Sequence, residues 1–310
     1  MNSAHVSIIL ATYNRAHLIM DTLLSIQNQT FTEWECLIID DGGTDETKAV
    51  ISKLLTYDRR FTFHQRPEQH LKGLPGCRNY GLSLATGKYV VFFDDDDWIH
   101  PQHLMLTTSL LDNHIQYGFC QYQKQSFETS MPENVPFYSN LTPLRETGVQ
   151  QLPAIVQEKI GMASCTVVWR MHYFTERFNE QLQYAEEWEL YTRILATGIK
   201  GMEVNEVLYY NRKHAASNTG EFWNGNRIRI DAKMQAALCN IKTLQYYHLL
   251  DTQSQTYLLN ILIRNRGYQY FKSGIAFSNY NLLQKWKAYL YYFCFPLIFI
   301  FYSLYHRLQP

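Results

Sequence analysis

Apolar residues over the first 112 positions fall alternately into short runs and into stripes of helical spacing. Val6-Ser7-Ile8-Ile9-Leu10 is a short, β-branched run of the kind a parallel sheet buries on both faces. Ile19, Leu23 and Ile26 follow at helical spacing on one face. A second run, Cys36-Leu37-Ile38-Ile39, ends in Asp40-Asp41-Gly42-Gly43. Thr44 is placed to cap the next helix, Asp45 and Glu46 favour its first turn, and Val50, Ile51, Leu54 and Leu55 give it an apolar face. A third strand is predicted near Phe61–Gln65, and Pro75 opens a helix that Gly87 closes. Tyr89-Val90-Val91-Phe92-Phe93 predicts a fourth strand running directly into Asp94-Asp95-Asp96-Asp97, and Pro101 starts another helix.

This alternation implies a mostly parallel α/β sheet with right-handed crossovers. Ligands of such sheets bind outside the carboxyl ends of the strands, so Asp40-Asp41 and Asp94 to Asp97 should share one crevice. From about 113 to 165 the pattern loosens around Pro132, Pro136, Pro143 and Pro153, which reads as a long excursion over the sheet. A strand near Thr166–Trp169, a helix from about Glu187 to Ala196 and a strand near Glu203–Tyr209 rejoin the core, and residues 225–275 read as helical. Ala288 to Tyr305 is a stretch of 18 residues without formal charge, flanked by Lys285, Lys287 and Arg307. Its length is near the ~17–25 residues that cross a bilayer. Pro296 and five tyrosines speak against a full span, and the aromatics near its ends suit an interfacial belt, so membrane contact is expected.

Composition narrows the partners. Lys+Arg 28 balance Asp+Glu 28, and a net charge of zero leaves no basic field to argue for nucleic acid. The six cysteines are scattered without a C-x-x-C pair and read as buried thiols of a reducing compartment. The amino terminus leads straight into an apolar strand with no room for a secretory signal, so the globular part is expected on the cytoplasmic side.

Four adjacent carboxylates repel one another unless a cation or a proton relieves them. At the mouth of an α/β sheet a divalent cation meets that need, and Mg²⁺ or Mn²⁺ takes oxygen ligands, often one or two carboxylates plus substrate phosphates. In an extended segment Asp94 and Asp96 would face one way and Asp95 and Asp97 the other. A solvated acidic turn before Pro101 is the bland alternative.

The segments VSIILATYNRAHLIMDTLLSIQNQTF…CLIIDDGGTDET and GLPGCRNYGLSLATGKYVVFFDDDDW resemble the amino-terminal half of glycosyltransferase family 2, inverting enzymes with the GT-A fold. The resemblance is dense over residues 5–112 and thinner to about 218. It implies a Rossmann-like nucleotide-diphospho-sugar transferase unit over 1–220, with a nucleotide-sugar half to about 112 and an acceptor half beyond it. A helical region over 221–310 follows, with a membrane-associating segment at 288–305. By the same resemblance Ala11, Thr12 and Tyr13 line the base and ribose, and Asp41 accepts a hydrogen bond from the base. Arg78 holds the nucleotide and diphosphate, and Asn79 completes its R-N signature. Asp94-x-Asp96 is the D-x-D pair, with Asp96 the favoured metal ligand, Asp94 its companion and Asp95 near the ribose.

The family's catalytic base is an Asp in an E-D-W-like motif; here the stretch reads Tyr184-Ala185-Glu186-Glu187-Trp188, so Glu187 stands where Asp is expected and Glu186 is the alternate. Arg212-Lys213-His214-Ala215-Ala216-Ser217 resembles the R-x-H-x-x-S loop, which makes Arg212 and His214 candidates for diphosphate charge. The resemblance implies transfer from a nucleotide-sugar, a UDP-sugar foremost, to a glycan or lipid-linked hydroxyl, with Mn²⁺ or Mg²⁺ as cofactor. A degenerate nucleotide-sugar-binding protein and a nucleotidyltransferase are the rivals. The position after the first strand, Leu10-Ala11-Thr12-Tyr13-Asn14-Arg15, lacks the glycine-rich phosphate loop of the latter.

Overall fold

The computed structural model describes residues 5–128, 135–213 and 218–307, the side chains of 218 and 297–307 excepted. In chain order the elements are β1 (Val6–Thr12), α1 (Ile19–Gln27), β2 (Trp34–Asp40), α2 (Thr47–Tyr57), β3 (Phe61–Gln65), α3 (Leu74–Leu84) and β4 (Tyr89–Asp94). Next come β5 (Trp98–Ile99), α4 (His103–Asn113), β6 (Phe119–Phe127), β7 (Arg145–Thr147), α5 (Leu152–Val156), β8 (Val167–Arg170), α6 (Glu186–Ala196) and β9 (Gly201–Arg212). Five helices follow: α7 (Asn218–Trp223), α8 (Arg227–Tyr246), α9 (Thr252–Arg264), α10 (Tyr268–Phe277) and α11 (Leu282–Arg307).

The strands form one sheet in the order β3-β2-β1-β4-β8-β6-β9-β5, with β7 on β9. The first four are parallel, as the alternation of runs and stripes requires. β8 then joins β4 and β6 antiparallel, and β6 runs parallel to β9. Register sets the site: Thr12 pairs with Asp40 and Ala11 with Asp94, so the residues after three strands emerge along one edge.

Both faces of the sheet are covered, which is why the strands read as continuous apolar runs. Ile8, Leu10, Ile38, Val91 and Phe93 point to one face with Ile19, Leu23, Ile51 and Leu104 from α1, α2 and α4. Ile9, Leu37, Ile39, Val90 and Phe92 point to the other, with Cys77 of α3, Leu190 and Ile194 of α6, and Ile241 and Leu258 of α8 and α9. The helices after residue 225 are therefore part of the same core as β1, β2 and β4. Four cysteines, Cys36, Cys77, Cys120 and Cys165, are buried and all six are free thiols.

Several boundaries differ from expectation. Helix α2 begins at Thr47, not behind a Thr44 cap. Asn14, held at φ 54°, directs its Oδ1 to the backbone N–H groups of Thr44 and Asp45, so the chain turns once more before the helix starts. Helix α3 ends at Leu84 because Ala85 is extended, and Gly87 instead lies against the backbone of β1, where a Cβ would stand 2.5 Å from Ser7 N. The segment 113–165 is not only an excursion: it contains the nine-residue strand β6. Its polar stretch Gln123-Lys124-Gln125-Ser126 masks the strand period, since the end beyond β8 has no sheet neighbour on that side.

Gly76, in the first turn of α3, packs directly beneath the Arg66–Gly73 loop: a Cβ there would sit 2.0 Å from the Leu71 carbonyl oxygen. The obstacle is backbone and cannot rotate away. Gly76→Ala is expected to destabilise the chain by about 1–3 kcal/mol despite the better helix propensity of alanine, read as a lower urea midpoint at unchanged slope.

Candidate active site

Strand β4 ends at Asp94, and Asp95 and Asp96 form a turn, which departs from the alternation expected of an extended run. The turn is fastened from below. The Asp97 carboxylate accepts the backbone N–H of Arg212 at 2.8 Å and its carbonyl accepts the Thr22 hydroxyl at 2.7 Å. Arg212 also donates Nε to the Asp96 carbonyl at 3.1 Å and Nη2 to Asp21 at 3.0 Å. Arg212 thus clamps the acidic turn through its backbone, while His214 lies outside the described residues.

Above the turn the carboxylates crowd one another. Burial raises Asp95 to about 7, with Asp96 and Asp94 adding to the rise against the Thr12 hydroxyl and Arg15. Burial, then Asp94 and Asp96, raises Asp97 to about 8. Asp94 is also raised, by burial and by Asp96, although Arg78 opposes it and its side chain keeps 39% of its surface open. Arg15, on the loop after β1, stands 3.4 Å from Asp95 and 3.6 Å from Asp96.

The second charged centre is Arg78 on α3. It is buried, and its guanidinium donates to the Ser164 hydroxyl at 2.7 Å, to Glu186 at 3.1 Å and to Asp94 at 3.3 Å. Expected at the diphosphate, it is found bridging the end of β4 to the start of α6. Asn79 beside it turns the other way and holds the backbone of Phe178 through both its amide atoms.

Helix α6 opens with Ala185 in the left-handed region at φ 61°, followed by Glu186 and Glu187. The two glutamates have different surroundings. Glu186 is buried against Arg78; burial raises its carboxyl to about 8 and Glu187 adds to the rise, with Arg78 opposing. The Arg78 guanidinium faces Glu186, Glu187 and Asp94 together, and this crowding of negative charge favours a proton on Glu186. Glu187 is half-buried, acts electrostatically on Arg78 and Asp94, and can meet an incoming group.

At the nucleotide end, Thr12 is buried, Ala11 half-buried and Tyr13 open. The Asp41 carboxylate takes the Arg66 guanidinium at 2.5 Å and the backbone N–H of Gly73 at 3.0 Å. Lys72 lies 4.4 Å above the Tyr13 ring. Arg15, Arg66, Lys72 and Ser164 were not singled out from the sequence. They lie on loops or a short turn without periodicity, and only their charge or hydroxyl could have flagged them.

Among the described residues no cluster of three or more His, Cys, Asp or Glu is placed to hold a metal ion. The donor set at the turn, carboxylates alone, fits a hard cation whose remaining ligands are substrate phosphates and water.

This arrangement, a parallel β3-β2-β1-β4 unit with an acidic turn at its edge and a carboxylate-bearing helix opposite, is that of a GT-A nucleotide-diphospho-sugar transferase fold. The chain belongs to glycosyltransferase family 2: the family model for glycosyl transferase family 2 matches residues 7–152. An Escherichia coli UDP-Glc:alpha-D-GlcNAc-diphosphoundecaprenol beta-1,3-glucosyltransferase, WfaP, is 30% identical over 220 residues, covering 68% of this chain and 78% of that protein. An uncharacterized glycosyltransferase of Rickettsia felis is 26% identical over 304 residues, covering 93% of this chain; the chain spans 46% of that relative's length. Among solved structures, S. aureus TarS residues 1–349 in complex with UDP-GlcNAc superposes with a TM-score of 0.62 at 19% identity, covering 88% of this chain and 83% of that one, which is a likeness of fold.

The raised Glu186 carboxyl has a signature in stability. A group whose folded pKa lies above its unfolded value stabilises below the unfolded pKa and loses that contribution as pH rises through the folded one. The unfolded value is near 4.5 and the folded one about 8, so the parent chain should lose stability between those limits relative to Glu186→Gln. Melting temperatures at pH 5 and pH 8.5 check this: the variant's advantage should grow with pH, and parallel curves would refute the raised carboxyl.

Proposed function

We propose that the chain is an inverting glycosyltransferase that moves a sugar from a nucleotide-sugar, a UDP-sugar foremost, to a hydroxyl of a glycan or lipid-linked acceptor in cell-surface polysaccharide or glycolipid assembly. The observation that carries this is the Arg78 bridge, which joins Asp94 on the donor side to Glu186 on the acceptor side through a single buried guanidinium. The relative WfaP, whose name gives a UDP-Glc donor and a diphosphoundecaprenol-linked acceptor, supports both substrate classes.

In this reading the nucleotide lies along Ala11, Thr12 and Tyr13, with Asp41 at the base and Asp95 by the ribose. Asp96 and Asp94 hold Mn²⁺ or Mg²⁺, which when bound supplies Lewis-acid stabilisation to the leaving diphosphate. Glu187, the more open of the two glutamates, takes the proton of the attacking hydroxyl; Glu186 positions it through Arg78. Arg212 keeps the acidic turn in place, and His214 is the second candidate for charge on the diphosphate. Residues 1–220 form the catalytic unit and 221–310 a helical region that completes its core.

Screening nucleotide-sugars for turnover with Mn²⁺ or Mg²⁺ tests the activity directly, and a chain that binds none of them would be left without the proposed role. Glu187→Gln should lower kcat by ~10²–10⁴ with little change in donor affinity, and Asp96→Asn should abolish cation-dependent transfer while the fold is retained. A mild effect at Glu187 with a severe one at Glu186→Gln would exchange their roles.

Among the described residues no helix is long and apolar enough to cross a membrane. The first turns of α11 nevertheless expose Leu282, Leu283, Trp286 and Leu290, with Lys285 and Lys287 between them. We read this as a peripheral contact with the cytoplasmic face of an anionic bilayer. Flotation of the full chain with anionic vesicles should fall severalfold for a Leu283→Glu, Trp286→Glu variant; equal flotation would remove α11 from the contact.

A further inference from the structure

We propose that Arg15 is an exchangeable counter-cation of the donor site: its guanidinium neutralises Asp95 and Asp96 in the donor-free chain, then passes to the donor's diphosphate as a divalent cation takes the carboxylates. The inference rests on the reading of Asp94 and Asp96 as cation ligands and adds to it a residue outside the D-x-D and R-N signatures.

Three arginines face the acidic turn, and they are held differently. Arg78 is buried and makes three hydrogen bonds of 2.7–3.3 Å. Arg212 is fixed by its own backbone N–H and by Nε at 2.8 and 3.1 Å. Arg15 reaches its two carboxylates at 3.4 and 3.6 Å, ion pairs too long for good hydrogen bonds, and 27% of its side chain is exposed. It is the most loosely tethered of the three.

Its stem, by contrast, is fixed. The Arg15 backbone N–H donates to Thr47 at 3.0 Å, its carbonyl accepts the N–H groups of Leu18 and Ile19, and Asn14 before it is locked at φ 54° onto the start of α2. A rigid stem with a loosely held tip is the arrangement of a side chain that swings.

The chemistry gives the swing a direction. A guanidinium and a divalent cation cannot occupy the same pair of carboxylates without repelling each other, so each lowers the other's affinity for the turn. A diphosphate offers paired oxygens that take a planar guanidinium bidentately, which suits it better than two distant carboxylates. The donor therefore draws Arg15 away and opens the turn to the cation, and by linkage the cation strengthens donor binding by the same factor. The device offsets part of the acidic turn's charge when no donor is present.

The test is Mn²⁺ binding to the full chain, measured by calorimetry and by the electron paramagnetic resonance of free Mn²⁺, with and without UDP. Arg15→Gln should bind Mn²⁺ about tenfold more tightly than the parent without UDP, from removal of one competing charge, and UDP should enhance its Mn²⁺ binding correspondingly less. Arg15→Lys, which keeps charge and stem but not the fork, should fall between. Unchanged or weaker Mn²⁺ binding by Arg15→Gln without UDP, or an undiminished enhancement by UDP, overturns the proposal. Asp96→Asn separates the layers: if it weakens Mn²⁺ binding while Arg15→Gln changes nothing, only the role of Arg15 is lost. If Asp96→Asn binds Mn²⁺ like the parent, the cation site lies elsewhere and both readings fall.

Discussion

The buried guanidinium of Arg78 is the constraint on which the candidate site depends. A charge removed from water is stable only when opposite charges and hydrogen-bond acceptors replace the lost hydration. Here Asp94, Glu186 and the Ser164 hydroxyl do so, and the rings of Phe92 and Phe178 lie beside it. Those partners come from the end of β4, the start of α6 and the turn before β8. Their convergence fixes the Asp94 carboxylate and the start of α6 against each other. Losing the guanidinium would leave the buried Glu186 carboxyl without its counter-charge, a situation that costs about 3–5 kcal/mol for a buried pair.

Negative charge is nevertheless crowded here. Asp95 and Asp97 are raised by burial and by their neighbours, and Glu186 is raised opposite them, so these carboxyls keep their protons to higher pH than exposed ones do. Structural stability alone would favour replacing some of these groups by amides. Retaining them makes chemical sense if the site is completed by positive charge from outside. Metal binding would then displace those protons, which makes cation affinity rise with pH through neutrality.

The parallel half of the fold was legible because strands buried on both faces appear as unbroken apolar runs, and β1 to β4 fall where those runs do. β6 was hidden by its polar second half, and α2 began later than its cap signal because Asn14, distant in sequence, holds the N–H groups of Thr44 and Asp45, leaving Asp45 rather than Thr44 to accept the Thr47 N–H. The acidic turn and the two glutamates could be found from sequence, but their division of labour could not. Glu186 and Glu187 are chemically alike, and only the packing of α6 against α3 turns one toward Arg78 and leaves the other open. Arg66 and Arg15 had no signal beyond charge, since their roles arise from loops brought together by the register of β1, β2 and β4.

The start of α6 also shows how the helices from α7 onward bear on the candidate site. Ala185 adopts left-handed backbone at φ 61°, a conformation that costs an L residue about 1 kcal/mol or more. It persists because its surroundings hold it: Tyr184 stacks on Phe222 of α7 at 4.9 Å, Arg229 of α8 donates to the Gln183 carbonyl, and the same Arg229 pairs with Glu221 at 2.9 Å. Lys233, one turn further along α8, lies 3.8 Å over the Trp188 ring and pairs with Glu158. The turn that sends Glu186 inward and Glu187 outward is thus braced by α7 and α8. Those helices form part of the site's scaffold, and the glutamates' orientation depends on how firmly they dock.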